Sequence, residues 1–239
     1  MSIINLTESD KNQKNLYYLQ SSLSELFINT RCSLNNNDGE NRAKLLINCP
    51  DEYEDIVRAE IIDKVAEIIV IKYKYDFFKK NLSIGGLSGL EKEILLASLI
   101  SADLFDDKRY TIDRLKNQEE IAVDGIFNFR LKPLKHKWED VSSYMPSCFT
   151  SNQLKDFITY LLEGKKKRVY IDQGKVYDGH FRRLKRSTLL DGEEGKIIRE
   201  ILLSNCGEVE IAGQISSVDE KYIKEFYKDK IYFSTGYYS

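Results

Sequence analysis

The apolar positions of the chain change period several times, and each change marks an expected element. From Ser9 to Leu23, Leu16, Leu19 and Leu23 recur at three and four residues and predict a helix. Phe27–Leu34 and Ala43–Cys49 are short runs of strand composition. The stretch between them, Asn-Asn-Asn-Asp-Gly-Glu-Asn at 35–41, is dense in turn formers, so a hairpin is expected. Ile56, Ala59, Ile62, Val65 and Ile69 return to the helical period and predict one long helix over 51–80. Within it, the β-branched run Ile68–Ile71 also fits a strand. Ser88 followed by Glu91 has the spacing of a capping box and opens a helix carrying Leu95, Leu99 and Ala102. Asp103–Lys116 predicts a further helix with Leu104, Tyr110 and Leu115 turned inward.

Glu120–Val123 alternates like a short strand, and a new period starts at Phe127. Phe127, Leu131, Leu134, Trp138, Val141 and Met145 stand alternately four and three apart, the seam of an amphipathic helix. Asp124 falls just before that helix, where a carboxylate accepts free amide protons, and Gly125 tolerates the turn. Pro133 removes a hydrogen bond to Phe129 and should kink or break the helix. Ser151 is placed to cap a helix with Leu154, Phe157, Ile158 and Leu161, ended by a left-handed Gly164. Residues 168–178 alternate around Asp-Gln-Gly and predict a second hairpin. Asp191 with Glu194 resembles the start of a helix bearing Ile197, Ile198, Ile201 and Leu202. Glu208–Ile211 is a strand, Ser217 with Glu220 opens a helix with Val218, Ile223 and Phe226, and Lys230–Phe233 is a last strand. Strand, helix and strand in that space predict a parallel pair with a right-handed crossover. The sum is an α+β fold: a mainly helical N-terminal half with a β-hairpin, 1–118, and a smaller mixed α/β C-terminal half, 119–239.

Composition supports a folded domain and narrows its chemistry. Of 239 residues, 42% are hydrophobic and 11% aromatic, enough for a core, and the net charge of −2 gives no global pull toward polyanions. The longest apolar run, Ile94–Ala102, is far shorter than the roughly 20 residues of a membrane span. The first residues lack the basic and apolar regions of a signal peptide, so a cytoplasmic protein is expected. Cys32, Cys49, Cys148 and Cys206 form no Cys-x-x-Cys pair and are read as small buried hydrophobes. With only His136 and His180 beside them, no metal or other cofactor is expected. The Ser-Ile-Gly-Gly-Leu-Ser-Gly loop, 83–89, lacks the strand before it and the Gly-Lys-Ser/Thr end of a phosphate loop. The acid pairs Asp106-Asp107, Glu119-Glu120 and Glu193-Glu194 read as solvated faces or helix starts, and no catalytic motif stands out.

One segment breaks the charge balance. Gly164–Arg186 holds nine Lys or Arg against two Asp. Its candidate contact residues are Lys165, Lys166, Lys167, Arg168, Arg182, Arg183, Lys185 and Arg186, with Tyr170, Tyr177 and Phe181 interleaved. Such a hairpin can grip phosphates and stack bases, or dock on an acidic protein surface. The plainer reading is solvated lysines above core tyrosines.

The sequence Ile-Ala-Val-Asp-Gly-Ile-Phe-Asn-Phe-Arg-Leu-Lys-Pro-Leu, 121–134, resembles the Asp-Gly-Phe-x-x-Phe-Arg-Leu segment of the YtxC-like family of sporulation proteins. Asp124, Gly125, Phe129, Arg130 and Leu131 match it, and Ile126 stands where that family usually has its first Phe. The following layout is similar over the second half of the chain, but the cysteine-rich tail of many members has no counterpart in Phe-Ser-Thr-Gly-Tyr-Tyr-Ser. The resemblance implies a sporulating Gram-positive cell and no mechanism. The leading expectation is a non-enzymatic cytoplasmic protein that binds a protein partner. Nucleic-acid binding through 164–186 is the alternative, and an enzyme using Asp124, Asn128 and Arg130 is the third.

Overall fold

The computed structural model describes residues 1–38 and 42–234. In the first part of the chain, strand β1 (Ser2–Ser9) precedes helices α1 (Lys14–Ser22) and α2 (Ser24–Asn29). Strands β2 (Ser33–Asp38) and β3 (Arg42–Cys49) pair antiparallel as the expected hairpin, whose turn at 39–41 lies outside the described residues. Helix α3 (Glu54–Ile68) runs through a π-helical turn, Ile69–Tyr73, into α4 (Lys74–Asn81), followed by α5 (Gly89–Ala102) and α6 (Leu104–Leu115). Strand β4 (Glu120–Ala122) leads into α7 (Val123–Arg130) and α8 (Lys132–Tyr144). Then come α9 (Ser151–Leu162), the hairpin β5 (Arg168–Asp172) and β6 (Lys175–Tyr177), α10 (Lys196–Leu203), β7 (Glu208–Ala212), α11 (Ser217–Tyr227) and β8 (Ile231–Ser234). The class is α+β, as the sequence implies, with two mixed four-stranded sheets among the described residues. The terminal 235–239, including most of the cysteine-free tail, lies outside the described residues.

Two compact units interleave in sequence, in place of a single division at residue 118: residues 1–74 with 105–141, and 75–104 with 142–239. In the first, the sheet order is β2-β3-β1-β4, with β1 antiparallel to β3 and parallel to β4. Strand β1 is a correction, because the sequence pattern begins a helix at Ser9 and assigns nothing before it. Its inward positions are Ile4, Leu6 and Glu8, all with no exposed surface, and the third is a carboxylate. The apolar alternation is therefore cut short, and polar Asn5, Thr7 and Ser9 occupy the other face. Phe27 is also corrected: it is buried in α2, and the strand starts only at Ser33.

Ile68, Ile69, Val70 and Ile71 are fully buried on every side of their helix, which is why the run also has the composition of a strand. The π-helical turn Ile69–Tyr73, which includes the last three of them, is followed by Lys74, and consecutive Tyr73 and Lys74 both face inward. On α6 the buried positions are Asp107, Thr111 and Leu115, in place of the expected Leu104 and Tyr110, which are only half-buried. A buried charge and a hydroxyl hide the true face from any apolar pattern.

The second unit packs α5, α9, α10 and α11 together and carries the sheet β6-β5-β7-β8. Strand β7 is parallel to both β5 and β8, with α11 linking β7 to β8. The β5–β6 turn places Gln173 at φ 46° and Gly174 at φ 71°, the left-handed pair of a tight hairpin turn. The capping box of Ser88 and Glu91 is formed at the start of α5. Two other caps sit one residue earlier than the sequence suggests: Thr150 with Gln153 for α9, and Ser216 accepting from the Asp219 amide for α11. Neighbouring hydroxyls make the cap ambiguous by one residue. Helix α10 begins at left-handed Gly195, and Asp191 instead pairs with Lys79 at 2.9 Å. The glycine-rich 83–89 loop is tied down by backbone bonds, Gly85 N to Ser147 O at 2.8 Å and Phe149 N to Gly85 O at 3.0 Å. Of its glycines, Gly86 serves a close chain approach, at φ 84° against the Phe149 carbonyl.

Candidate binding face and buried polar clusters

The register of the second sheet builds a row across all four strands. Tyr177 on β6 faces Tyr170 on β5, which faces Glu210 on β7, which faces Tyr232 on β8. Val176, Val169, Ile171, Val209 and Ile211 point the other way and are buried, so the tyrosine row lies on the outer face. Tyr170 and Tyr177 are half-buried, whereas Tyr232 is 40% exposed. Phe181, 44% exposed, sits over Tyr170 with ring centroids 4.8 Å apart. Beside the row, Arg168 reaches Glu208 Oε2 through Nε at 2.9 Å and Nη2 at 2.8 Å, and Glu210 through Nη1 at 3.1 Å. Its guanidinium also lies 4.1 Å above the centre of the Tyr232 ring. Two carboxylates hold its charge, led by the bonds to Glu208, and raise its pKa.

The expected basic surface is thereby divided. Arg168 is held by carboxylates, and Arg182 pairs with Asp178 at 2.9 Å. Burial would raise the Asp178 pKa, but amide and guanidinium bonds from His180 and Arg182 hold it below the usual range. Arg186 is half-buried, donating from Nη1 to the Leu203 carbonyl while its amide donates to buried Glu200. Lys165 and Lys185 are also half-buried, which leaves Lys166, Lys167, Arg182 and Arg183 as the exposed cations of the set. The tyrosines expected in the core lie on the outer face, because the hairpin register puts valine and isoleucine inward.

The Asp124–Leu131 segment is distributed among separate tasks. Asp124 lies inside the first turn of α7, after N-cap Ala122, and makes no capping bond of its own. Arg42 of β3 binds it, with Nη1 3.2 Å from Oδ2, and the acid still favours the helix dipole. The expected cap is therefore an ion pair, because the strand passes directly into the helix. Asn128 accepts from Lys135 Nζ at 3.3 Å, and Arg130 points to solvent. Asp124, Asn128 and Arg130 are thus not gathered around one cleft. Gly125 lies in α7 with the Ala122 side chain close above it. Phe129 is 76% exposed and Leu131 is buried at the break before Pro133, where the sequence predicts one.

Polar groups inside the first unit form two clusters that the sequence does not announce. Asp107 accepts from Lys74 Nζ at 2.8 Å, Lys137 Nζ at 2.7 Å and Trp138 Nε1 at 3.0 Å. Burial alone would raise the Asp107 pKa; the Lys74 charge and these bonds outweigh it and hold the group low. Glu8 accepts from Tyr73 OH at 2.8 Å, Asn15 Nδ2 at 3.0 Å and its neighbour Ser9 N at 2.9 Å. Burial, aided by nearby Asp124, leaves its pKa raised despite those bonds. Tyr73 lies tilted against Phe127 at 4.6 Å, and Phe127 stacks on Trp138 at 5.8 Å, joining the clusters.

Among the described residues, His, Cys, Asp and Glu form no group placed to hold a metal, and no helix is long and apolar enough to cross a membrane. Comparison with known protein families, curated proteins and solved structures finds no match.

Proposed function

We propose that this chain is a non-enzymatic protein that binds a protein partner through the outer face of its C-terminal sheet. The observation that carries the reading is the row Tyr177, Tyr170, Glu210 and Tyr232, with Arg168 fixed beside it. Tyrosine and arginine are the side chains most often found at the energetic centre of protein interfaces. Arg168 is already ordered by two carboxylates and a ring, so little of its freedom is lost on docking. Glu208 and Glu210 in the same face oppose a phosphate backbone and favour a partner presenting both signs of charge. The cellular setting, a sporulating cell, rests on the likeness of Asp124–Leu131 to the YtxC-like family.

The test is affinity capture from sporulating cells with wild-type protein and a Tyr170→Ser/Tyr232→Ser variant of unchanged circular dichroism. Loss of about 2 kcal/mol per central tyrosine corresponds to roughly thirtyfold weaker binding. A partner bound by the wild type and lost by the variant supports the proposal. Equal capture by both refutes it. Salt-sensitive binding to a single-stranded oligonucleotide, lost in Lys166→Glu/Arg183→Glu and kept in the tyrosine variant, would refute it in favour of nucleic-acid binding.

A further inference from the structure

The β2–β3 ladder begins with Ser33 opposite Asn48, and that register carried one residue further sets Cys32 against Cys49. Residues directly opposed across an antiparallel pair have Cα atoms about 4.5–5.5 Å apart. That lies inside the roughly 4.4–6.8 Å that a disulfide spans. Cys32 is near enough to bear on the Cys49 thiol, which donates to the Pro50 carbonyl at 3.4 Å, and both cysteines are free here. The two sulfurs have different surroundings. Cys32 is half-buried with Sγ 3.2 Å from Thr30 Oγ1, whereas Cys49 is fully buried between the hairpin and β1. Burial first, then Cys32 itself and the charges of Glu54 and Asp51, push the Cys49 thiol up to about 12.

We propose that Cys32 and Cys49 are a redox-modification site, closed reversibly to a disulfide by exchange with a small disulfide of the glutathione class. Cys32, the accessible thiol, gives up its proton to solvent and attacks one sulfur of glutathione disulfide. The sulfur–sulfur bond breaks, and one glutathione leaves as thiolate and takes up a proton. Cys49 then loses its proton to solvent and attacks Cys32 Sγ. The mixed disulfide breaks and the second glutathione leaves and is protonated. Two protein thiols are oxidised and one glutathione disulfide is reduced to two thiols. The weak acidity of Cys49 slows the second step. It also disfavours the reverse reaction, in which Cys49 must leave as thiolate. The closed bond ties the residue before edge strand β2 to the last residue of β3, one step past the ladder.

The test uses the full chain carrying Cys148→Ser, which removes the exposed cysteine. Protein is incubated with glutathione disulfide, quenched with N-ethylmaleimide and read by intact mass and peptide mapping. The expected product is lighter by two hydrogens, contains a Cys32–Cys49 linked peptide and reverts with dithiothreitol. Cys49→Ala should stop at a persistent glutathione adduct on Cys32, and Cys32→Ala should react at least about tenfold more slowly at Cys49. A stable adduct on Cys32 with Cys49 intact overturns the proposal. So does an unmodified pair under conditions that modify Cys148 in the parent chain.

Discussion

Asp107 and Lys74 offer a sharp energetic test, since their side chains are each only 1% exposed. Replacing Asp107 by Asn keeps an oxygen for the Trp138 indole and removes the charge opposite Lys74. The ammonium then loses the carboxylate it faces at 2.8 Å and either stays charged or gives up its proton. Deprotonation at pH 7 of a group that normally titrates near 10.4 costs about 4.6 kcal/mol, which caps the cost of leaving the charge unmatched. At pH 9 the same cap is about 1.9 kcal/mol, so the destabilisation should shrink by more than half. Lys74→Met strands the carboxylate instead, although Lys137 still reaches it. The double variant removes both charges and should recover about 3 kcal/mol of coupling. Trp138 is the only tryptophan and bonds Asp107 directly, so its fluorescence in urea reports this cluster. With a slope of about 2 kcal/mol per molar, Asp107→Asn should lower the midpoint by about 2 M at pH 7. A coupling below about 1 kcal/mol, or a loss that does not fall between pH 7 and 9, refutes the buried-pair argument. In the wild type the Asp107 pKa is lowered on folding, so its contribution is present above the unfolded value and lost as pH falls through the folded one.

Glu8 should behave in the opposite sense. Its folded pKa is raised, so its contribution is full below the unfolded value near ~4.3 and is lost as pH rises through the folded one. Glu8→Gln, with the Asn15 amide turned to accept, should flatten the urea midpoint between pH 4 and 8; an unchanged pH profile would count against this. Gly86→Ala places a Cβ 2.6 Å from the Phe149 carbonyl at φ +84° and should cost about 1–3 kcal/mol in thermal melts. Gly89→Ala, in the first turn of α5 with open space around it, should be neutral or stabilising by up to about 1 kcal/mol; equal losses at both glycines would refute the steric account. Arg199 is fully buried and donates to the carbonyls of Asp191 at 2.6 Å and Gly192 at 2.8 Å. Arg199→Leu should loosen 191–195 and speed limited proteolysis there at least about tenfold, and unchanged cleavage would dispose of that role.

Elements with clean periods are legible in the amino-acid sequence. The Leu154 and Ile158 stripe of α9, the Asp-Gln-Gly hairpin and the Ser88–Glu91 capping box all follow from local chemistry that tertiary contacts do not override. Misreadings concentrate where a polar group faces inward. Glu8 interrupts the alternation of β1, and Asp107 with Thr111 replaces apolar residues on the buried face of α6. A carboxylate is acceptable there only because nearby Asn15 is joined by Tyr73, Lys74 and Trp138, which arrive from distant parts of the chain, and spacing carries no record of such arrivals.

The candidate face illustrates the same limit for charge. Counted along the chain, 164–186 is strongly basic and suggests a phosphate-gripping hairpin. Counted in space, Arg168 is held by Glu208 and Glu210, 40 and 42 residues away, because β7 lies parallel beside β5. That register converts a run of cations into an arginine set between acids and aromatics. A surface of that composition discriminates by shape and by paired charge, and an association that weakens only modestly as salt rises is its expected signature. Phosphate binding by the remaining Lys166, Lys167 and Arg183 would instead weaken steeply as salt rises, so a salt titration of any interaction found separates the two surfaces directly.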